Sequence, residues 1–437
     1  MVLIDERWAM PTLLVHYSLL LVLKILFVHQ NFPGQYKHLV PAMAKQEGNA
    51  IVAVGESKNV KPHTIEILNR FGVKWIGYDT PKGASPTTHH YIQSLEAAIR
   101  RGQTVVRAVL PLRKQGFIPD VICAHPGWGE ALYLKDIFPE AKHLYFLEFF
   151  YRPRGSDVGF DPEFPNQFDD LFRVRTKSAN LLLNLDAMDW GVSPTIWQRD
   201  QHPIAFHDQI SVIHDGIDTK TVKPNPDATV TVKEKNLTLS AKDEVITYIA
   251  RNLEPYRGFH IFMRSLPELL RRRPQAHIVI LGGDDVSYGR RLPNGETYRE
   301  KYLAEIGDID RDRVHFLGKI PYQSYLSVLQ ISSAHIYLTY PFVLSWSMLE
   351  AMAAGCLVIG SSTPPVLEVL RHEENGLLVD FFKTEEIIEA LDRALNHPDE
   401  MQTLRENARK TVVEKFDLES ICLPQHVQLI EKLAAGK

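Results

Sequence analysis

Short apolar segments alternate with longer helix-like segments along the whole chain. The apolar segments begin at Lys24, Asn49, Val73, Pro119 and Lys142 in the first half, and at Val245, His277, Val314, Ala334 and Cys356 in the second. Helix-like stretches, such as residues 88–114 and 260–272, lie between them. A β-then-α order of this kind is typical of parallel sheets with helices on both faces. The sequence therefore predicts an α/β fold with two doubly wound, Rossmann-like domains that face each other across a cleft.

The alternation stops at residues 219–242, where two prolines and many polar residues predict a linker or a loose hairpin. We therefore expect one Rossmann-like domain over residues 23–205 and a second over residues 206–405. A C-terminal helix over residues 406–437 would be in a position to pack back on the first domain. Ligands of open α/β sheets bind at the carboxyl ends of the strands, so the residues that follow each strand are the first candidates for function.

Composition narrows the classes of partner. The 437 residues carry 49 Lys and Arg against 53 Asp and Glu, a net charge of −4, so we expect no nucleic-acid partner. The three cysteines, Cys123, Cys356 and Cys422, are too far apart in sequence for a CxxC pair. Neither a zinc site nor a disulfide framework is therefore expected, and a reducing compartment fits best.

The N-terminus contains an apolar run from Leu13 to Val28, which His16 and Lys24 interrupt. The uninterrupted part is too short for a membrane-spanning helix of about 20 residues. The opening residues also lack the positive end of a signal peptide. We expect a cytoplasmic protein with an N-terminal extension over residues 1–22, and a peripheral contact with the inner face of the membrane remains an open alternative.

The second half carries the more informative motifs. Arg251 follows a predicted strand, and Arg257 lies six residues on, before a glycine that opens a helix. Two guanidinium groups at a strand end suit a diphosphate, although solvated surface arginines would give the same pattern. Further on, Ser345 or Ser347 can cap a helix whose free N–H groups suit a phosphate. Glu350, near the start of that helix, could accept hydrogen bonds from ribose hydroxyls.

Carboxylates elsewhere do not predict a metal site. Asp308 and Asp310 form a D-x-D pattern, but they lie in a charged loop before a strand and are interpreted as solvated. Asp284 and Asp285 follow a predicted strand, where carboxylates would repel a diphosphate unless a cation intervened. We therefore expect no metal and no cofactor.

Taken together, these motifs resemble family 4 of the GT-B glycosyltransferases. The resemblance rests on the Arg251–Arg257 pair and on LEAMAAGCLVIG from Leu349, and it extends to SVIHDGIDTKTVKP from Ser211. In the first half the resemblance covers PDVICAHPGWGEAL and HQNFPGQ. The segment HQNFPGQ, near the start of the chain, is similar to the start of one bacterial subgroup of the family. The resemblance spans about residues 24–410. It implies a retaining hexosyltransferase of the GT-B fold, with an acceptor-side first domain and a nucleotide-sugar-binding second domain.

The resemblance also implies a role for individual residues. Catalytic roles fall to His125, Arg251 and Arg257, and donor-binding roles fall to Gly34, Gln35, Gly318, Lys319, Leu344, Ser345, Trp346 and Glu350. The loop after the strand at Lys142 offers Tyr151, Arg152 and Arg154 as acceptor-binding candidates, although an ordinary loop would explain them equally well. The implied partners are a nucleoside diphosphate sugar, with UDP expected before GDP, and a cell-surface saccharide or lipid-linked acceptor.

One departure from the family pattern affects the sugar half of the site. The family usually has a glutamate eight residues before the position of Glu350, and this chain has Phe342 there. The donor sugar must then be bound differently, or turnover is weak. Three alternatives stay open: transfer to a sugar phosphate as in sucrose-phosphate synthase, a nucleotide-sugar epimerase of the same fold, and a nucleotide-sugar-binding scaffold without turnover.

Overall fold

A parallel seven-stranded sheet forms the centre of the first half of the chain. The computed structural model describes residues 22–436, and the predicted extension over residues 1–22 lies almost wholly outside them. The strands are β1 (Lys24–Val28), β2 (Ala50–Glu56), β3 (Lys74–Tyr78), β4 (Val121–Ala124), β5 (Lys142–Phe146), β6 (Trp190–Ser193) and β7 (Ile210–Val212). Their spatial order is β3-β2-β1-β4-β5-β6-β7.

Helices cover both faces of this sheet. They are α1 (Leu39–Ala44), α2 (Pro62–Arg70), α3 (Gln93–Lys114), α4 (Leu134–Ile137), α5 (Phe168–Lys177), α6 (Ala179–Ala187) and α7 (Ile196–Asp200). The helix α3 is amphipathic, and it buries Val105, Val109 and Leu112 in a core that includes Val28 and Ile122 of the sheet. A helical period of apolar residues thus decides which face of α3 meets the sheet.

The second half has the same architecture around a parallel six-stranded sheet. A hairpin of β8 (Thr229–Val232) and β9 (Leu237–Ser240) comes first. The sheet strands are β10 (Val245–Asn252), β11 (His277–Gly283), β12 (Val314–Gly318), β13 (Ala334–Tyr337), β14 (Val358–Ser361) and β15 (Leu377–Val379), in the spatial order β12-β11-β10-β13-β14-β15. The helices are α8 (Phe259–Arg272), α9 (Tyr298–Glu305), α10 (Tyr322–Gln330), α11 (Trp346–Ala353), α12 (Pro364–Leu367), α13 (Thr384–Asn396), α14 (Pro398–Lys415) and α15 (Leu423–Ala434).

The boundaries between the predicted segments need correction. The strand β7 pairs with β6, so the first sheet extends past the boundary predicted at residue 205. Of the two alternatives for residues 219–242, a linker or a loose hairpin, the structure has the β8–β9 hairpin, whose Leu239 packs in the same core cluster as Leu326 of α10. The single helix predicted over residues 406–437 is interrupted after Lys415, because a π-helical turn over Leu418–Cys422 separates α14 from α15.

The two sheets are joined by packing as well as by the chain. The helix α15 returns to the first domain, where Ile430 and Leu433 pack with Val121 and Leu144 of β4 and β5. On the other side, Tyr340 after β13 donates a hydrogen bond of 2.6 Å to Asp161 of the first half. These contacts hold the carboxyl ends of both sheets opposite each other.

The order of the strands reverses between β1 and β4 in the first sheet and between β10 and β13 in the second. A crevice forms at such switch points, beyond the carboxyl ends of the strands. The last residues of these four strands and the loops after them carry Gln35, His125, Arg251 and Ser345, which explains how motifs far apart in sequence meet. No helix within residues 22–436 has both the length and the apolar character that crossing a bilayer requires.

Candidate functional site

A cleft of about 700 Å³ lies between the two domains at the carboxyl ends of the sheets. Its lining includes Arg251, which the sequence predicts to be catalytic, and all but one of the residues predicted for donor binding: Gly34, Gln35, Gly318, Lys319, Ser345, Trp346 and Glu350. Two predicted residues with a catalytic role, His125 and Arg257, do not line it directly. The side chain of Leu344 is buried in the core of the second domain, so only its backbone is available for the predicted role.

Two cationic side chains on the second domain face this cleft without a partner. Arg251, at the end of β10, is exposed, and so is Lys319, in the turn after β12. Within residues 22–436, neither forms an ion pair or a side-chain hydrogen bond. Their positive charge is therefore free to pair with the oxygens of an anionic ligand.

The helix α11 begins at the edge of the same cleft. The hydroxyl of Ser345 caps the helix by accepting a hydrogen bond of 3.3 Å from the backbone N–H of Ser347. The backbone N–H of Ser345 donates to the hydroxyl of Tyr337, at 2.8 Å, which fixes the entry of the helix. The positive end of the helix dipole thus adds to the two cations at the place where a phosphate would bind.

Glu350 is held by two tyrosines on α10. Tyr322 donates to one carboxylate oxygen at 2.7 Å, and Tyr325 donates to the other at 2.6 Å. Burial and the adjacent Glu350 both raise the pKa of these tyrosines, so their hydroxyls stay protonated and act as donors. A carboxylate accepts about four hydrogen bonds, so Glu350 keeps free acceptor capacity for the hydroxyls of a ligand. Neither tyrosine was predicted from the sequence, although their i, i+3 spacing places them on one helix face.

Arg257 lies behind the wall of the cleft. Its side chain is buried, and one guanidinium nitrogen donates to the hydroxyl of Thr339 at 2.7 Å and to the carbonyl of Val343 at 3.0 Å. It lines a small cavity of about 40 Å³ that also reaches Arg251 and Ser345. The two arginines therefore converge, but Arg257 also holds together the loop that leads into α11.

Asp215 joins the two domains at this cleft and was not singled out from the sequence. Its carboxylate accepts a hydrogen bond of 2.8 Å from the indole N–H of Trp346, across the domain interface. Burial raises the pKa of Asp215 to about 7; the hydrogen bond from Trp346 opposes this rise, and the nearby Glu148 carboxylate adds to it. Its position in the chain could have indicated a role at the cleft, because Asp215 lies three residues after the end of β7, in the segment HDGID.

His125 follows β4 and belongs to a buried cluster next to Gln35. The ring of His125 stacks on Trp128 with a centroid distance of 4.4 Å, and its Nε2 lies 3.6 Å from a carboxylate oxygen of Glu148. His29 contacts Gln35, with Nε2 and Oε1 2.8 Å apart. Burial lowers the pKa of His29 to about 3, so its ring is neutral. No three His, Cys, Asp or Glu side chains in the described part of the chain form a group that could hold a metal ion.

Gly34 is required by close packing at the first-domain side of the cleft. Its φ of +50° is in the left-handed region, which glycine adopts without strain. A side chain at this position would also clash with the imidazole ring of His29. The backbone of this loop can therefore approach a ligand closely.

The acceptor candidates fall in three different environments. Tyr151 lines a second cavity of about 540 Å³, between the loop at residues 155–166 and the second domain. Arg152 donates to the backbone carbonyls of Gln201 and His202, at 2.6 and 2.8 Å, so it stabilises its own domain. Arg154 is exposed and lines neither of the two cavities. The structure does not bring these three side chains together.

Phe342 is buried in an aromatic cluster between the domains. Its ring packs against Phe149 of the first domain at a centroid distance of 4.6 Å, and against Tyr288 at 4.9 Å. Only 3% of Phe342 is exposed. Phe342 therefore contributes to the packing between the two domains, and its side chain offers no polar group to a ligand in the cleft.

Comparison with known proteins agrees with this architecture. The family model described as "Glycosyl transferase family 4 group" matches residues 47–222, and the one described as "Glycosyl transferases group 1" matches residues 231–411. The D-inositol 3-phosphate glycosyltransferase of Corynebacterium efficiens is 26% identical over 206 residues, which are 47% of this chain and 47% of that protein. The chain spans about half the length of the curated relatives it matches.

Solved structures show the same fold at lower identity. A sucrose-phosphate synthase from Thermosynechococcus elongatus superposes with a TM-score of 0.66 and 18% identity, over 95% of this chain and 100% of that one. HepE of Anabaena, in complex with UDP, superposes with a TM-score of 0.65 and 16% identity, over 94% and 100% of the two chains. The predicted two-domain fold of GT-B type is confirmed.

Proposed function

Since this chain belongs to the family 4-like glycosyltransferases of the GT-B fold, we propose that it transfers a sugar from a nucleoside diphosphate sugar, with retention of the anomeric configuration. The proposed donor nucleotide is UDP, with GDP second. The proposed acceptor is a growing cell-surface saccharide or a lipid-linked saccharide at the inner face of the membrane. A role in polysaccharide biosynthesis would follow.

The observation that carries the proposal is the convergence of Arg251, Lys319, the α11 N-terminus and Glu350 on one cleft. The cations and the helix end suit a diphosphate, and the carboxylate of Glu350 suits the hydroxyls of a ribose. UDP is preferred because HepE, which has the same fold, was solved with UDP and with UDP-glucose. The arrangement thus provides for each part of a nucleotide ligand.

The same groups would act on the reaction itself. As the bond between the anomeric carbon and the diphosphate oxygen breaks, negative charge grows on the leaving group. Arg251, Lys319 and the helix N-terminus would stabilise that charge, which is the largest contribution that a preorganised site makes. The leaving phosphate oxygen would accept the proton of the acceptor hydroxyl as the new glycosidic bond forms on the same face. This proposal requires no metal ion.

A sugar phosphate is the second candidate acceptor. Lys37 lines the first-domain side of the cleft, where a cation could pair with an acceptor phosphate. The relative from Corynebacterium efficiens is named for transfer to an inositol phosphate. Comparing product formation with sugar phosphates and with lipid-linked saccharides as acceptors would separate the two candidates.

Thermal unfolding with UDP, GDP and ADP tests the nucleotide assignment. A ligand at about 100 times its dissociation constant stabilises the folded protein by roughly 2.7 kcal/mol. We expect stabilisation by UDP, and we expect Arg251→Ala to reduce it strongly. The matched control is Arg70→Ala, which removes an exposed arginine at the end of α2, far from the cleft lining. Equal stabilisation of the two variants would contradict the assignment.

A turnover assay then separates the enzyme from a scaffold. Phe342 is the reason to test this alternative, because it brings no polar group to the sugar. Release of free UDP that depends on an added acceptor supports transfer. Binding of UDP-sugar without UDP release, across a full acceptor panel, would support a scaffold.

A further inference from the structure

The loop between β13 and α11 brings no carboxylate to the sugar end of the cleft. Residues 338–345 read LTYPFVLS, and Phe342 points into the interdomain aromatic cluster. The backbone carbonyl of Phe342 accepts a hydrogen bond of 3.2 Å from the indole of Trp197 in the first domain, which fixes this loop. Any acidic group that binds the sugar must therefore come from another element.

Glu148 is an acidic residue of the first domain that lies next to the cleft lining, where it contacts Gln35. It follows β5, directly before Phe149, whose ring packs on Phe342. One carboxylate oxygen of Glu148 accepts a hydrogen bond of 3.4 Å from the side-chain amide of Gln35, which lines the cleft. The backbone carbonyl of Glu148 accepts a bond of 2.7 Å from Gln198, so its position is fixed. About 37% of the side chain is exposed, so a ligand can reach it.

A buried donor without a partner faces this carboxylate. The Nδ1 atom of His125 accepts a hydrogen bond of 3.1 Å from the backbone N–H of Gly127, so in the neutral ring the proton is on Nε2. Within residues 22–436, Nε2 is buried and has no hydrogen-bond partner. Its distance of 3.6 Å from Glu148 is too long for a hydrogen bond. Leaving such a buried donor unsatisfied is unfavourable, so a ligand that accepts a hydrogen bond from it is favoured.

The chemistry of the pair defines the missing group. The group must accept a hydrogen bond from Nε2 of His125 and donate a hydrogen bond to the carboxylate of Glu148. A hydroxyl can do both, whereas an ionised phosphate oxygen can only accept. The carboxylate of Glu148 repels a diphosphate, so this end favours a neutral polyol, whereas Arg251 and Lys319 on the cleft lining favour the phosphates.

We propose that Glu148 and His125 together bind a hydroxyl of the transferred sugar, so that the carboxylate that recognises the donor sugar comes from the first domain. The assignment rests on the proposed function, since it presumes a nucleotide sugar in the cleft. It makes Glu148 a residue that determines affinity and specificity for the sugar rather than for the nucleotide. Variants of Glu148 should therefore discriminate between UDP and UDP-sugar.

The experiment compares dissociation constants for UDP and for UDP-sugars by titration calorimetry. The probes are UDP-glucose, UDP-galactose and UDP-N-acetylglucosamine, and the one that binds the wild-type protein most tightly is used. We expect Glu148→Gln to leave the UDP constant within about twofold and to weaken UDP-sugar binding at least about tenfold, because a hydrogen bond to a charged group is stronger than one to a neutral amide. Glu148→Asp should show the same selectivity, because its shorter side chain no longer reaches the hydroxyl.

The control is Glu140→Gln, the same substitution at an exposed glutamate that pairs with Arg113 outside the cleft. It should change neither constant. Equal losses for UDP and UDP-sugar in Glu148→Gln, or no loss for either, would overturn the assignment. The assignment would also be overturned if the wild-type protein bound no UDP-sugar more tightly than UDP. That result would leave the proposed nucleotide site unaffected. A wild-type protein that binds no nucleoside diphosphate at all would instead overturn the proposed function.

Discussion

Replacing Asp215 by asparagine should stabilise the protein at neutral and alkaline pH. Asparagine has the same shape, and its carbonyl oxygen can still accept the hydrogen bond from the indole of Trp346. It lacks the charge that burial penalises. The substitution therefore isolates the cost of ionising a carboxyl group at the domain interface.

The size of the effect follows from the pKa values. Unfolded Asp215 loses its proton near pH 3.8, and folded Asp215 loses it near pH 7. Between these values the folded state holds a proton that the unfolded state has lost, so the free energy of unfolding falls as the pH rises. At about 1.36 kcal/mol per pH unit, the wild-type protein should lose at most about 3 kcal/mol between pH 5 and pH 8 through this group.

Urea unfolding of both proteins at pH 5 and pH 8 measures the effect. The advantage of Asp215→Asn should grow by about 2–3 kcal/mol between these two pH values. Asp218→Asn is the control: burial would raise the pKa of Asp218, but hydrogen bonds from Thr221 hold it below its usual value. Its titration therefore ends below pH 5, and its effect should be the same at both pH values. An advantage of Asp215→Asn that does not change with pH would refute the reasoning.

Two further predictions follow from the site. Arg257→Ala should lower the free energy of unfolding by about 3 kcal/mol even without ligand, because it leaves the buried partners Thr339 and Val343 without their donor, whereas Arg251→Ala should cost little in the urea unfolding of the ligand-free protein. Transfer activity should persist in excess EDTA, because the proposed mechanism neutralises the diphosphate with protein cations; loss of activity with EDTA and its return with Mg²⁺ would contradict this.

The sequence predicted the framework well because local patterns determine it. Apolar runs marked the strands of both sheets except β6 and β7, which are short and mixed in composition. The grouping of the residues proposed to bind the nucleotide was also predictable. Arg251 lies at the end of a strand, and Ser345 and Glu350 lie on one strand–turn–helix unit, so their relation is fixed by nearby sequence.

The sugar half could not be predicted in the same way, because it is formed by long-range contacts. Glu148 meets Gln35 across 113 positions of sequence, and Asp215 meets Trp346 across 131. Glu148 belongs to no local motif with a recognisable spacing, and the segment HDGID around Asp215 does not indicate its contact with Trp346. The segment after β5 predicted acceptor-binding roles for Tyr151, Arg152 and Arg154, whereas the preceding Glu148 is the residue that contacts Gln35 of the cleft lining.

The position of Phe342 shows why spacing within one helix is not enough to judge this site. Counting back from Glu350 assumes that the carboxylate for the sugar must lie on the same domain as the nucleotide site. A cleft has two walls, and a hydroxyl in it can be reached from either one. In this chain the second-domain wall uses position 342 for packing against Phe149, and this contact holds the adjacent Glu148 near His125. Phe342 thus takes the place of an acidic residue on the second-domain side of the cleft. Through its contact with Phe149, it also helps to position Glu148 on the first-domain side.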